Sequence, residues 1–149
     1  MKEYKSNIKR YQLVPEKSEY KKCKITCSSD SYNYIKQFYG SDIEIMESFY
    51  ILMLNNSNNT LGYVKLSSGG ITGTLVDIRL LAKFALDSLA CAVILAHNHP
   101  SGTLMPSQAD KNLTQKIKKG LELLDIKVLD HIILTPGDEY FSFADSSIL

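Results

Sequence analysis

The apolar positions of the chain change period several times, and each change predicts an element. The first 22 residues are polar, keep no sustained period and contain Pro15, so they predict an extended arm. Behind the capping candidates Ser28, Ser29 and Asp30, the residues Tyr34, Ile35 and Phe38 recur at helical spacing and predict a short helix closing at Gly40. Met46 to Leu54 runs through Phe49, Tyr50, Ile51, Leu52 and Met53 without a breaker, the pattern of a strand covered on both faces. The Asn and Ser residues from Asn55 to Asn59 tolerate left-handed backbone and bond their own main chain. They predict a hairpin to a partner strand over Thr60–Leu66.

After a turn over Ser67–Gly70, Thr74 and Asp77 have the hydroxyl and carboxylate spacing of a capping box. The helix they predict reaches about Ala90, with Ile78, Leu81, Ala82, Ala85 and Leu89 on one stripe and Arg79, Lys83 and Asp87 mainly outside it. Cys91–Ala96 then predicts a buried strand, with Cys91 in the core. Ser107 and Asp110 repeat the capping-box pattern ahead of Ala109, Leu113, Ile117, Leu121 and Leu124, the most regular helical stripe in the chain. Lys127–Leu134 predicts a closing strand ended by Pro136-Gly137, and Tyr140–Phe143 a last extended piece. Elements in this order predict the α/β class, a mixed sheet with helices packed against it.

With 149 residues, 44% of them hydrophobic and 22% charged, the chain has room for one buried core and not for two. The longest apolar run, Leu89–Ala96, is far short of the ~20 residues a membrane span needs. The start Met1-Lys2-Glu3-Tyr4-Lys5 carries no secretory pattern, so the expectation is a cytoplasmic protein with no membrane partner. Cys23, Cys27 and Cys91 are odd in number and unpaired in spacing, against both a disulfide scaffold and a four-cysteine zinc site. A net charge of +1 demands no nucleic acid, although its distribution is uneven. Up to residue 24, Lys2, Lys5, Lys9, Arg10, Lys17, Lys21, Lys22 and Lys24 outnumber Glu3, Glu16 and Glu19. The expected division is a basic arm over 1–23 and a single domain over 24–149.

Candidate chemistry gathers in the last third, which holds His97, His99 and His131. On an extended backbone the period of two turns His97 and His99 to the same side, a spacing suited to two ligands on one metal. Pro100 cannot continue a central strand, so the pair sits at a strand end, where α/β folds build their sites. Asp110 falls in the first turn of the following helix, and the loop between can fold back to deliver its carboxylate to the same point. Two nitrogens and one oxygen leave a tetrahedral zinc one ligand short, the catalytic pattern in which water takes the fourth position. Zinc lowers the pKa of that water to ~7 and polarises a bound carbonyl. Each residue has an ordinary use by itself: a polar strand end, a helix cap, a dipole partner. The combination is what points to metal. His131, inside a predicted strand after Asp130, reads as a satisfied structural histidine rather than a ligand. A zinc deaminase is set aside because it needs His-x-Glu followed by Pro-Cys-x-x-Cys. The letters His97-Asn98-His99 also spell HNH, but nucleases of that name take their residues from separated positions.

The set His97, His99, Pro100, Ser107 and Asp110, so spaced, resembles the JAMM (MPN+/JAB) metalloprotease signature. Its longer form, His97-Asn98-His99-Pro100-Ser101-Gly102 with Pro106-Ser107 and Val128-Leu129-Asp130-His131, is similar to the bacterial RadC-like branch, from about Ser29 to the carboxyl terminus. The resemblance implies a JAB1/MPN-type mixed sheet flanked by helices, cytidine-deaminase-like, with Zn2+ held by His97, His99 and Asp110. It implies an upstream glutamate as general acid and base, a role that falls on Glu47, in the Glu-x-Phe position of Met46-Glu47-Ser48-Phe49; the residues alone leave Glu44 open as well. It implies that Ser107 helps stabilise a tetrahedral intermediate. The implied activity is zinc-dependent hydrolysis of a peptide or isopeptide-linked protein. The alternative is a non-catalytic, metal-stabilised module associated with DNA or DNA repair. Many RadC-like proteins carry an amino-terminal helix-hairpin-helix region where this chain has its basic arm. That arm lacks the interleaved aromatics of a single-strand binder, which makes DNA the lesser partner expectation.

Overall fold

Two strands buried at every residue form the middle of the molecule, and the rest of the fold covers them. In the computed structural model, which describes residues 9–69 and 75–149, the elements run α1 (Ser28–Lys36), a 3₁₀ turn (Ser41–Glu44), β1 (Ser48–Leu54), β2 (Thr60–Ser68), α2 (Ile78–Asp87), β3 (Ala92–Asn98), α3 (Gln108–Glu122), β4 (Lys127–Leu134) and β5 (Tyr140–Ser142). The two wholly buried strands are β1 and β3. Sheet order is β2-β1-β3-β4-β5. β1 is antiparallel to both its neighbours, β3 and β4 are parallel, and β4 and β5 are antiparallel. This is the expected α/β fold with a mixed sheet, and α3 is the crossover that a parallel pair requires.

Strand alternation assigns the helices to the two faces. Tyr50, Leu52, Leu54, Ile94, Ala96, Ile132 and Leu134 pack with Tyr32, Ile35 and Phe38 of α1 and the turn after it. Phe49, Ile51, Met53, Val93 and Leu95 pack on the other face with Leu81 and Ala85 of α2 and Ile117 and Leu121 of α3. The Asn and Ser run closes β1 onto β2 as expected. The Asn55 carboxamide accepts from the Ser57 and Asn59 amides at 3.0 Å each, and Asn58 takes φ 59°.

The structure corrects the sequence reading around α2. Asp77 is itself the N-cap, accepting from the Arg79 amide at 2.9 Å. Thr74 lies outside the described residues, as do Gly70 of the expected turn and residues 1–8 of the expected arm. The helix ends at Asp87, and Leu89, expected on the buried stripe, is 83% exposed at φ 57°. Cys91, expected in the core, is exposed, because the chain re-enters the sheet only at Ala92. In β3 the strand continues beyond Ala96 through His97 to Asn98. On α3 the buried positions are Thr114, Ile117 and Leu121, with Ala109 and Leu124 exposed at its two ends. Ahead of the sheet, Tyr20 packs on Phe38 and Tyr63, and Lys24 bridges to Asn59. Among the described residues no helix is long and apolar enough to cross a membrane.

Candidate metal centre

Register places the ligand candidates. Phe49 on β1 pairs with His97 on β3, and the Phe49 ring stacks along the His97 imidazole, 8° from parallel at 6.0 Å. Two residues on, the chain leaves the sheet at Pro100. Gly102 donates its amide to the His99 carbonyl at 3.0 Å from a φ of 81°, backbone that a glycine adopts without strain. This turn brings the Thr103 carbonyl to within 2.6 Å of His99 Nδ1. Ser107 then opens α3 with a complete capping box. Its hydroxyl accepts from the Asp110 amide at 3.1 Å, and Asp110 Oδ2 accepts from the Ser107 amide at 2.7 Å. The cap fixes the Asp110 carboxylate against the histidines, with Oδ1 3.3 Å from His97 Nε2 and Oδ2 3.5 Å from His99 Nε2. Capping and ligation are thus compatible uses of one side chain. The ligand atoms of His97, His99 and Asp110 all lie within 4.8 Å of one another, and among the described residues no further His, Cys, Asp or Glu joins them.

A chain of hydrogen bonds behind the histidines fixes where their protons are. The Thr114 hydroxyl donates to the Asp110 carbonyl at 2.6 Å, so toward His131 Nδ1, also at 2.6 Å, it can only accept. His131 therefore carries its proton on Nδ1. Burial holds the His131 pKa well below the usual 6.5, so this ring is neutral and its Nε2 accepts. The partner at 2.7 Å is His97 Nδ1, which must donate, so Nε2 is the atom that His97 turns toward His99 and Asp110. On His99 the Thr103 carbonyl takes the Nδ1 proton, and Nε2 is again the atom turned inward. Those two Nε2 atoms face each other at 3.0 Å beside a carboxylate. With the Nδ1 protons directed away, the three converging atoms form a donor set suited to a cation.

The electrostatics agree. Burial acts to raise the Asp110 carboxyl, but when a proton takes the cation's place on Nε2 of His97 or His99, its hydrogen bond to the carboxylate outweighs burial and holds the pKa far below the usual range. Burial acts to lower His99, yet the Asp110 carboxylate and the Thr103 carbonyl leave it raised. The site favours positive charge, whether a proton or a metal ion. A nitrogen, nitrogen and oxygen set with three ligands suits zinc with one position open.

The remaining candidates fall around this triad. Glu47 directly precedes β1, two positions before Phe49, whose partner in the sheet is His97. Its charge acts on His99 after that of Asp110. Glu44 is exposed in the 3₁₀ turn. Ser107 is exposed at the rim, its oxygen committed to the Asp110 amide and its proton free to donate. His131 lies outside the converging group but holds His97 in place, as does Thr114 behind it, a residue that no local pattern singles out. The available signal was weak: Thr114 lies four positions after Asp110, on the same helix face. Asp130 fastens β4 to the end of β5 and the turn beyond it, accepting from the His131 amide, the Ser142 hydroxyl and the Ala144 amide at 2.7, 2.6 and 3.0 Å.

Comparison with known proteins gives a consistent match. The RadC-like JAB domain family profile matches residues 25–148. A UPF0758 protein of Flavobacterium johnsoniae is 49% identical over 125 residues, 84% of this chain and 53% of that protein. One from Porphyromonas gingivalis is 40% identical over 136 residues, 91% of this chain and 59% of its own. The UPF0758 protein YfjY of Escherichia coli is 47% identical over 103 residues, 69% and 64% of the two chains. The chain thus spans little more than half the length of the first two relatives.

Proposed function

Because the chain belongs to the RadC-like JAB domain family, we propose that it is a zinc-dependent hydrolase of peptide or isopeptide bonds. The observation that carries this reading is the convergence of His97 Nε2, His99 Nε2 and an Asp110 oxygen, every neighbouring proton directed elsewhere. Bound there, zinc supplies an activated water and polarises the scissile carbonyl. Glu47 accepts a proton on the substrate side of the triad and passes it to the leaving amine. The Ser107 hydroxyl, its proton uncommitted, donates to the oxygen that becomes negative as the carbonyl is attacked. Free thiols at Cys23, Cys27 and Cys91 fit a reducing compartment such as the cytoplasm.

The test pairs metal analysis with turnover. The purified chain is expected to hold one zinc, lost in His99→Ala, and to cleave members of a quenched-fluorescent library of peptides and lysine-isopeptide-linked peptides. Glu47→Gln is expected to keep the zinc and lose about 100-fold or more in turnover. Turnover unchanged in Glu47→Gln sinks the mechanism. Stoichiometric zinc with no cleavage favours the second reading, a metal-stabilised module whose exposed basic residues Lys9, Arg10, Lys17, Lys21 and Lys22 would face DNA.

A further inference from the structure

Between the two candidate ligands stands Asn98, wholly buried and turned by strand alternation to the opposite face of the sheet. It cannot touch metal or substrate there, yet three of the four hydrogen-bonding positions of its carboxamide are used. Oδ1 accepts from the Ser48 amide at 2.8 Å, and Nδ2 donates to the carbonyls of Ile43 and Met46 at 2.8 and 3.0 Å. The backbone pairing of β1 with β3 stops at Phe49 and His97, and the His99 amide turns away to the Leu134 carbonyl. From that point the Asn98 side chain stands in for the missing strand backbone.

What it holds is the segment around Glu47. Two peptide groups flank the Glu47 Cα, one carrying the Met46 carbonyl and the other the Ser48 amide, and Asn98 bonds both. The Glu47 carbonyl, in the second of these groups, also accepts from the Gly69 amide at 2.8 Å. With both peptide planes held, φ and ψ of Glu47 are set, and with them the direction of its side chain. The residue doing this is covalently bonded to His97 on one side and His99 on the other.

We infer that Asn98 is a positioning residue, a clamp that fixes the Glu47 carboxylate relative to the metal ligands from behind the sheet. The inference rests on Glu47 as the acid and base of the proposed reaction. Proton transfer needs hydrogen-bond reach, and a misplacement of about 1 Å can cost about 100-fold in rate, so the rate is where a clamp is read.

The experiment uses the zinc-loaded full chain and a library peptide that it cleaves. Asn98→Asp keeps the shape and the acceptor toward Ser48 but sets an oxygen against the Ile43 and Met46 carbonyls. Asn98→Ser is the second variant, should the first fail to fold. Both are expected to bind one zinc with affinity within about threefold of the parent, because the bonds that orient His97, His99 and Asp110 are untouched. kcat is expected to fall about 10- to 100-fold with KM within about threefold. Amide exchange at Ser48 should accelerate while that of His97 stays slow. Adding either change to Glu47→Gln should cost nothing more, since there is no longer a carboxylate to position. An unchanged kcat despite faster Ser48 exchange overturns the clamp, as does a loss of the same size in the Glu47→Gln background. A parent chain that cleaves no peptide overturns the hydrolase reading beneath it, whatever the exchange data show.

Discussion

His97 is held from behind by a neutral histidine, and that histidine by a threonine whose own proton goes to the Asp110 carbonyl. One hydroxyl therefore decides on which nitrogen His97 presents its lone pair. Thr114→Val, nearly the same volume, removes the acceptor for His131 Nδ1. His131 can then move its proton to Nε2, which forces the His97 proton round to face the metal. Zinc affinity is expected to fall about 10- to 100-fold, read by competition with a chromophoric chelator. An affinity within twofold of the parent would refute the relay. At this scale the sequence showed the ends of the arrangement and not its middle. The alternation of His97 and His99 and the Ser107 to Asp110 spacing are local patterns. The partners of His131 lie 34 and 17 positions away, and those of the Asn98 side chain 50 to 55, beyond any periodicity.

At the level of elements, the site hangs between the end of β3 and the first turn of α3, and the intervening loop must place Thr103 as well as Ser107. Gly102 is the point where that loop needs left-handed backbone, and an added Cβ would meet nothing within 4 Å. Gly102→Ala therefore isolates the backbone term. It is expected to lower stability by about 1 kcal/mol, read from the denaturant midpoint, and to weaken zinc binding as the Thr103 carbonyl drifts from His99. Gly102→Asn, which tolerates this conformation better, should do less, and an alanine variant indistinguishable from the parent would show that the loop does not hold His99. The capping box of α3 was legible because all its parts lie within four residues. The end of α2 was not: the apolar period continues through Leu89, past the last helical residue, and the break comes from the left-handed turn that redirects the chain into β3. The same redirection leaves Cys91 outside.

For the whole molecule, a metal ion at the proposed centre would compete with a proton. The proton that Asp110 and Thr103 hold on His99 raises its folded pKa above the ordinary 6.5. Its stabilising contribution is fully present below 6.5 and lost as pH rises through the raised value. Zinc needs His99 neutral, so its stabilisation grows over that window, each tenfold gain in affinity adding about 1.4 kcal/mol when zinc is in excess. His131 stays neutral and buried with or without metal and cancels in the comparison. The rise in Tm on adding zinc to the metal-free chain is expected to increase from pH 6 to 8; a rise that is flat or largest at pH 6 contradicts the assignment. The class of fold, the strands buried on both faces and the convergence of His97, His99 and Asp110 could all be read from the chain alone, because each is written in short-range spacing of apolar, capping and imidazole residues. Which atoms of those three residues face one another, what orients Glu47 and where α2 stops came from the packed molecule. Those depend on hydrogen bonds and turns that exist only once β1, β3, β4 and α3 are assembled, and a buried polar group must find its partner wherever the fold supplies one.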